Sequence, residues 1–149
     1  MLINFTEEQK MVRDMVREFT KKEIEPRDKW MDENGFDFDL HKKISETGLA
    51  GIHIPEEYGG GGGDAVTSAI VIHEMAKGSG SVALALDAHW LAADTILYHG
   101  SDEQKKKYLP MAAAGKIFAF GLTEPCAGSD AAGIKSNVVP APDGGWILN

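Results

Sequence analysis

Ile117-Phe118-Ala119-Phe120-Gly121-Leu122-Thr123-Glu124-Pro125-Cys126-Ala127-Gly128-Ser129-Asp130 divides the chain into two kinds of pattern. Its first half is apolar and aromatic, and residues 117–122 read as a buried strand. Its second half is a loop of small residues holding a hydroxyl, a carboxylate, a proline and a Gly-Ser-Asp turn. Gly and Ala leave the backbone uncovered, so N–H groups in such a loop can approach a ligand closely.

Upstream, the periodicity is helical. Thr6-Glu7-Glu8-Gln9 is a capping box, and Val12, Met15, Val16 and Phe19 recur at helical spacing behind it. This first helix is predicted to run to about residue 31, with a bend near Pro26. Asp37 or Asp39 opens a short helix with Leu40 and Ile44, closed by Gly48. Residues 52–55 read as a brief extended piece before the glycines 59–63. Asp64 caps a helix over 65–77, a further helix covers 81–98, and Ser101-Asp102-Glu103-Gln104 is a second capping box for a helix through Tyr108. The helices at 65–77 and 81–98 are apolar on most faces, which marks them as central. Downstream, residues 137–139 and 146–148 read as strands around a turn at 140–145, too few to close a sheet alone. The fold class is therefore mainly α: an antiparallel helical bundle over 1–115, then the first strands of an incomplete β-domain over 116–149.

The 149 residues carry a formal net charge of -8 and are 43% apolar and 26% charged, ordinary for a globular domain. The acidity argues against nucleic acid or an anionic membrane as partner. One cysteine cannot form an intramolecular disulfide, which fits a reducing, cytoplasmic setting. The start, Met1-Leu2-Ile3-Asn4-Phe5-Thr6, has no basic segment before an apolar one and does not read as a signal peptide, and no apolar run is long enough to span a membrane.

Several residues invite chemistry and have plainer readings. The five glycines are not a dinucleotide fingerprint, and alone they read as a flexible hinge. Lys105-Lys106-Lys107 reads as a solvated helix face rather than a phosphate site. His89, alone in an apolar helix, reads as a hydrogen-bonded core residue. Cys126 has no histidine at a recognisable partner spacing and is expected to have no chemical role. No metal-ligand pattern is apparent.

Phe-Gly-Leu-Thr-Glu-Pro-x-Ala-Gly-Ser-Asp at 120–130, Ile54-Pro55-Glu56-Glu57-Tyr58-Gly59-Gly60, and the lysine segment with Tyr108-Leu109-Pro110 together resemble the acyl-CoA dehydrogenases. The resemblance covers essentially the whole chain. It makes the 54–60 string an inter-helix loop with a structural part. It implies FAD as cofactor, an acyl-CoA thioester as substrate in fatty acid or amino acid catabolism, an electron-transfer flavoprotein as electron acceptor, and a homo-oligomer, a tetramer in the family. By the resemblance, Phe120 and Leu122 pack near the isoalloxazine and Thr123 hydrogen-bonds its pyrimidine edge. Gly128 and Ser129 meet the pyrophosphate, and Ser129 also lies beside the thioester. Ala83, Asp87 and Ala88 are candidates for lining the acyl pocket.

The family's second flavin segment and its catalytic glutamate are expected beyond these residues. No catalytic residue is therefore assigned here, Glu124 included, and the chain is expected to be the N-terminal portion of the enzyme and inactive by itself. A same-fold flavin oxidase or monooxygenase, or a non-catalytic helical module, are the alternatives this sequence leaves open.

Overall fold

Thr6 starts the first helix, α1 (Glu7–Phe19). Its hydroxyl accepts the Gln9 N–H at 3.1 Å, and the Gln9 amide oxygen accepts the Thr6 N–H at 3.1 Å. The structure, a computed structural model, describes residues 4–149. Met1, Leu2 and Ile3, used in reading the N-terminus, lie outside the described residues.

The predicted helix to residue 31 is several stretches in series. A π-helical turn (Thr20–Ile24) and a 3-10 turn (Glu25–Arg27) connect α1 to α2 (Asp28–Asn34). Pro26 has no N–H and its ring crowds the carbonyl four residues back, so an unbroken α-helix is costly there. The wider turn, with the Glu25 N–H reaching the Thr20 carbonyl, lets the rod continue. Asp37, not Asp39, caps α3 (Phe38–Glu46), accepting the Leu40 N–H at 2.9 Å and an Arg27 N–H at 2.8 Å. Gly48, at φ 81°, ends that helix in the left-handed conformation.

Residues 52–55 are not extended. They form turns between two 3-10 turns, Leu49–Gly51 and Glu56–Tyr58. The glycine run folds back over them: Gly61, Gly62 and Gly63 donate to the carbonyls of Gly51, Ile54 and Ile52 at 2.9, 2.9 and 2.8 Å. Those carbonyls are satisfied locally, without a neighbouring strand. The run is a packed loop, not a hinge, which agrees with the structural part expected of the 54–60 string.

Asp64 caps α4 (Ala65–Ala76) through the Thr67 N–H at 2.8 Å, and its carboxylate also accepts the Gln9 side-chain amide at 3.3 Å. The caps of α1 and α4 are thereby joined. Further along, Arg17 grips the buried Glu74 with two N–H groups at 3.0 and 3.2 Å, and Lys77 adds a third contact at 2.7 Å. These cations hold the Glu74 carboxyl down to about 2, with the Arg17 hydrogen bond the largest cause. A carboxyl lowered on folding stabilises the fold above its unfolded value and loses that contribution as pH falls through the folded one. Glu74→Gln is expected to cost about 2 kcal/mol at neutral pH. The gap between variant and wild type in urea midpoints should close as pH falls from 4 toward 2; a gap constant with pH would refute the pairing.

Short connections at 77–79 and 100–101 turn the chain from α4 into α5 (Gly80–His99) and from α5 into α6 (Asp102–Ala113). α5 is central, packed against both α4 and α6. It buries Val82, Leu86, Trp90 and Ala93, and the Trp90 indole N–H donates to the Leu49 and Ala50 carbonyls. α6 starts at the Ser101 capping box but continues past Tyr108 through Pro110. Leu109 and Ala112, fully buried on either side of the proline, offset the missing backbone bond by packing.

The described β-structure is one hairpin, β1 (Val138–Pro140) and β2 (Trp146–Leu148), antiparallel with Val138 opposite Leu148. Residues 117–122 are not a buried strand as expected. No ladder forms along them, and Phe120 and Leu122 are 41% and 46% exposed. An apolar run becomes a strand only beside a pairing partner, and among the described residues none lies next to it.

Candidate functional site

The loop after α6 is tied down at two places and open between them. Phe118 is the first tie. Its side chain packs on the cluster of Ile54, Ala93, Leu109 and Ala112, and its N–H donates to Nδ1 of His89 at 3.2 Å. The second is Glu124. Its backbone exchanges two hydrogen bonds with Ala127, at 3.0 and 3.1 Å, closing a tight turn over the buried Ala127 side chain. Its carboxylate accepts the N–H groups of Lys135 at 2.9 Å and Ser136 at 3.0 Å. A hydrogen bond from the Ser136 side chain, then these two N–H groups, hold that carboxyl below the usual range. Glu124 is a clasp across residues 124–136, and a carboxylate so stabilised in its charged form is a weak base.

Thr123 lies between Phe118 and Glu124, and Gly128 and Ser129 lie between Glu124 and its partner Lys135; all three are exposed. Their backbone N–H groups and the two hydroxyls make no hydrogen bond among the described residues. A Cβ added to Gly128 would meet nothing within 4 Å. Uncovered donors on a loop of small residues suit a ligand that carries negative charge. Phe120 and Leu122 add exposed apolar surface beside it.

On α5, Ala83 is 2% exposed and packs in the main core with Val82 and Leu86. Asp87 and Ala88 are half-buried. They lie on the helix face that also carries Leu84 and Leu91, which are 66% and 43% exposed. His89, the residue after Ala88, joins this helix to the start of the loop at Phe118.

An apolar cavity of about 260 Å³ lies elsewhere, between α2, α3 and α5, lined by Met31, Phe36, Leu40, Ile44, Val82 and Leu86. None of the candidate cofactor- or substrate-binding residues lines it. His53 stands 3.0 Å from Asp94 and edge-on to Trp90, a pairing no sequence spacing signalled. Burial pushes the His53 imidazole below its ordinary value against the pull of Asp94. Cys126 is exposed. Among the described residues no three His, Cys, Asp or Glu side chains converge as a metal site, and no helix is long and apolar enough to cross a membrane.

Comparison with known proteins gives a consistent picture. The family model described as acyl-CoA dehydrogenase, N-terminal domain, matches residues 6–116. A probable acyl-CoA dehydrogenase of Bacillus subtilis, YngJ, is 44% identical over all of this chain and 40% of its own length. A crystal structure of an acyl-CoA dehydrogenase complexed with FAD from Bacillus anthracis superposes with a TM-score of 0.89 at 38% identity, over 98% of this chain and 26% of that one. A structure described as the electron transferring flavoprotein of Acidaminococcus fermentans matches with a TM-score of 0.89 at 38% identity, over all of this chain and 40% of that one. The chain spans about two fifths of the length of the curated relatives it matches.

Proposed function

The chain belongs to the acyl-CoA dehydrogenase family, and from that premise we propose that it supplies the N-terminal helical domain, residues 1–115, and the first cofactor loop, from 116 onward, of an FAD-dependent enzyme that oxidises the Cα–Cβ bond of an acyl-CoA thioester. The observation that carries this reading is the loop itself: free donors at Thr123, Gly128 and Ser129 on a segment braced at Phe118 and Glu124. When bound, FAD supplies the acceptor for the hydride leaving the substrate and gathers negative charge along its pyrimidine edge. Thr123 meets that edge with its N–H and hydroxyl, donors already in place as charge develops. Gly128, with no side chain in the way, and Ser129 receive the pyrophosphate. Phe120 and Leu122 cover the ring system, and Ser129 also reaches the thioester. Asp87 and Ala88, on the open face of α5, border the acyl chain.

No carboxylate of this chain is assigned the α-proton; Glu124 is committed to Lys135 and Ser136. The reading places the enzyme in the cytoplasm as a homo-oligomer that passes electrons to an electron-transfer flavoprotein. The single cysteine, which has no partner for an intramolecular disulfide, supports a reducing compartment.

The test is Thr123→Ala in a full-length enzyme carrying this chain. Flavin reduction by acyl-CoA in stopped flow should slow by about tenfold to a few hundredfold, the usual worth of one preorganised donor, and FAD should be lost more readily on dialysis. Cys126→Ala should change neither. Unaltered reduction and retention in the Thr123 variant would overturn the reading.

A further inference from the structure

His89 is a buried imidazole that the proposed chemistry does not use. Burying a polar ring in an apolar helix is costly unless it is hydrogen-bonded. Among the described residues the one side-chain hydrogen bond it makes is to the Phe118 N–H, twenty-nine positions on. The Phe118 ring meets the imidazole edge-on, with centroids 5.8 Å apart. An N–H can donate to Nδ1 only if that nitrogen is unprotonated, so the ring is neutral with its proton on Nε2. Burial, aided by His41 and His53 and opposed by the Ala112 and Ala50 carbonyls, pushes the imidazole below its ordinary value and favours that state. Every other residue from 117 to 123 is exposed and makes no backbone hydrogen bond among the described residues.

We propose that His89 is a positioning residue: by accepting the Phe118 N–H it latches the start of the 117–123 segment to α5, and so fixes the Thr123 loop relative to Asp87 and Ala88 on the same helix. The functional half of this inference rests on the flavin reading above; the latch itself does not.

The experiment uses three proteins: wild type, His89→Leu, which fills the space without an acceptor, and His89→Asn, whose Oδ1 can take the place of Nδ1. In the wild-type chain, nitrogen chemical shifts should show His89 unprotonated at Nδ1 at neutral pH. Amide exchange at Phe118 should speed up about tenfold or more in the Leu variant and return toward wild type in the Asn variant. In a full-length enzyme, FAD should dissociate about tenfold faster from the Leu variant, with rescue by Asn. A proton on Nδ1 in the wild type overturns the latch, and needs no variant to fold. Equal Phe118 exchange in wild type and Leu variant does so too. Asn rescue of exchange in an enzyme whose wild type holds no FAD supports the latch and sinks the flavin reading. Altered exchange with unaltered FAD release overturns the link between latch and cofactor loop.

Discussion

Expressed by itself, the 149-residue chain should elute from gel filtration without the visible absorbance of bound flavin and should not turn over acyl-CoA. Every group proposed to meet the cofactor lies on one exposed loop, residues 120–129, with no opposing wall among the described residues. Donors facing water gain little by exchanging it for a ligand, and the ordering of ligand and loop opposes binding. Pockets that hold a cofactor tightly enclose most of its surface. The chemistry is short of a base as well. Glu124 is nearest in sequence to Thr123, but its carboxylate already accepts two N–H groups and is held in its charged form. Absorbance spectra after gel filtration and a dye-reduction assay with acyl-CoA decide it. Stoichiometric flavin on the chain would mean that the loop and the α5 face close on each other in solution, and would move the cofactor site onto these residues alone.

The helices were legible in sequence because their signals are local. Thr6 with Gln9, Asp64, and Ser101 with Gln104 each cap the helix they were expected to cap. The hairpin at 138–148 follows from its turn residues in the same way. What the sequence hid depends on partners. Residues 117–122 have the composition of a strand but no neighbour to pair with among the described residues. Pro26 read as a bend and the Ser101 helix was expected only through Tyr108; a π-helical turn carries the chain into Pro26, and the packing of Leu109 and Ala112 carries α6 through Pro110. The loop motif drew attention to Thr123, Gly128 and Ser129. It gave no hint of the braces at His89 and Glu124, whose hydrogen bonds span twenty-nine and about a dozen positions.

Gly60→Ala should destabilise the fold by about 3 kcal/mol, roughly a hundredfold in the folding equilibrium. Its Cβ would lie 2.0 Å from the Ile54 carbonyl oxygen and 2.6 Å from the Ile54 Cβ, far inside contact distance. Neither side can yield cheaply. Ile54 is fully buried with Ala93, Leu109 and Ala112, and its carbonyl accepts the Gly62 N–H at 2.9 Å. Relief requires pulling Ile54 from that cluster or parting the glycine run from the 51–54 turns. Phe118 packs on the same cluster, so the damage should reach the start of the cofactor loop. Gly80→Ala is the control. An added Cβ there meets nothing within 4 Å, and the position opens α5, so the change should be neutral or stabilising by up to about 1 kcal/mol. Urea denaturation of the two variants separates a packed loop from a hinge. A hinge tolerates alanine at either position, and only a run held by close backbone contact makes Gly60 costly and Gly80 harmless.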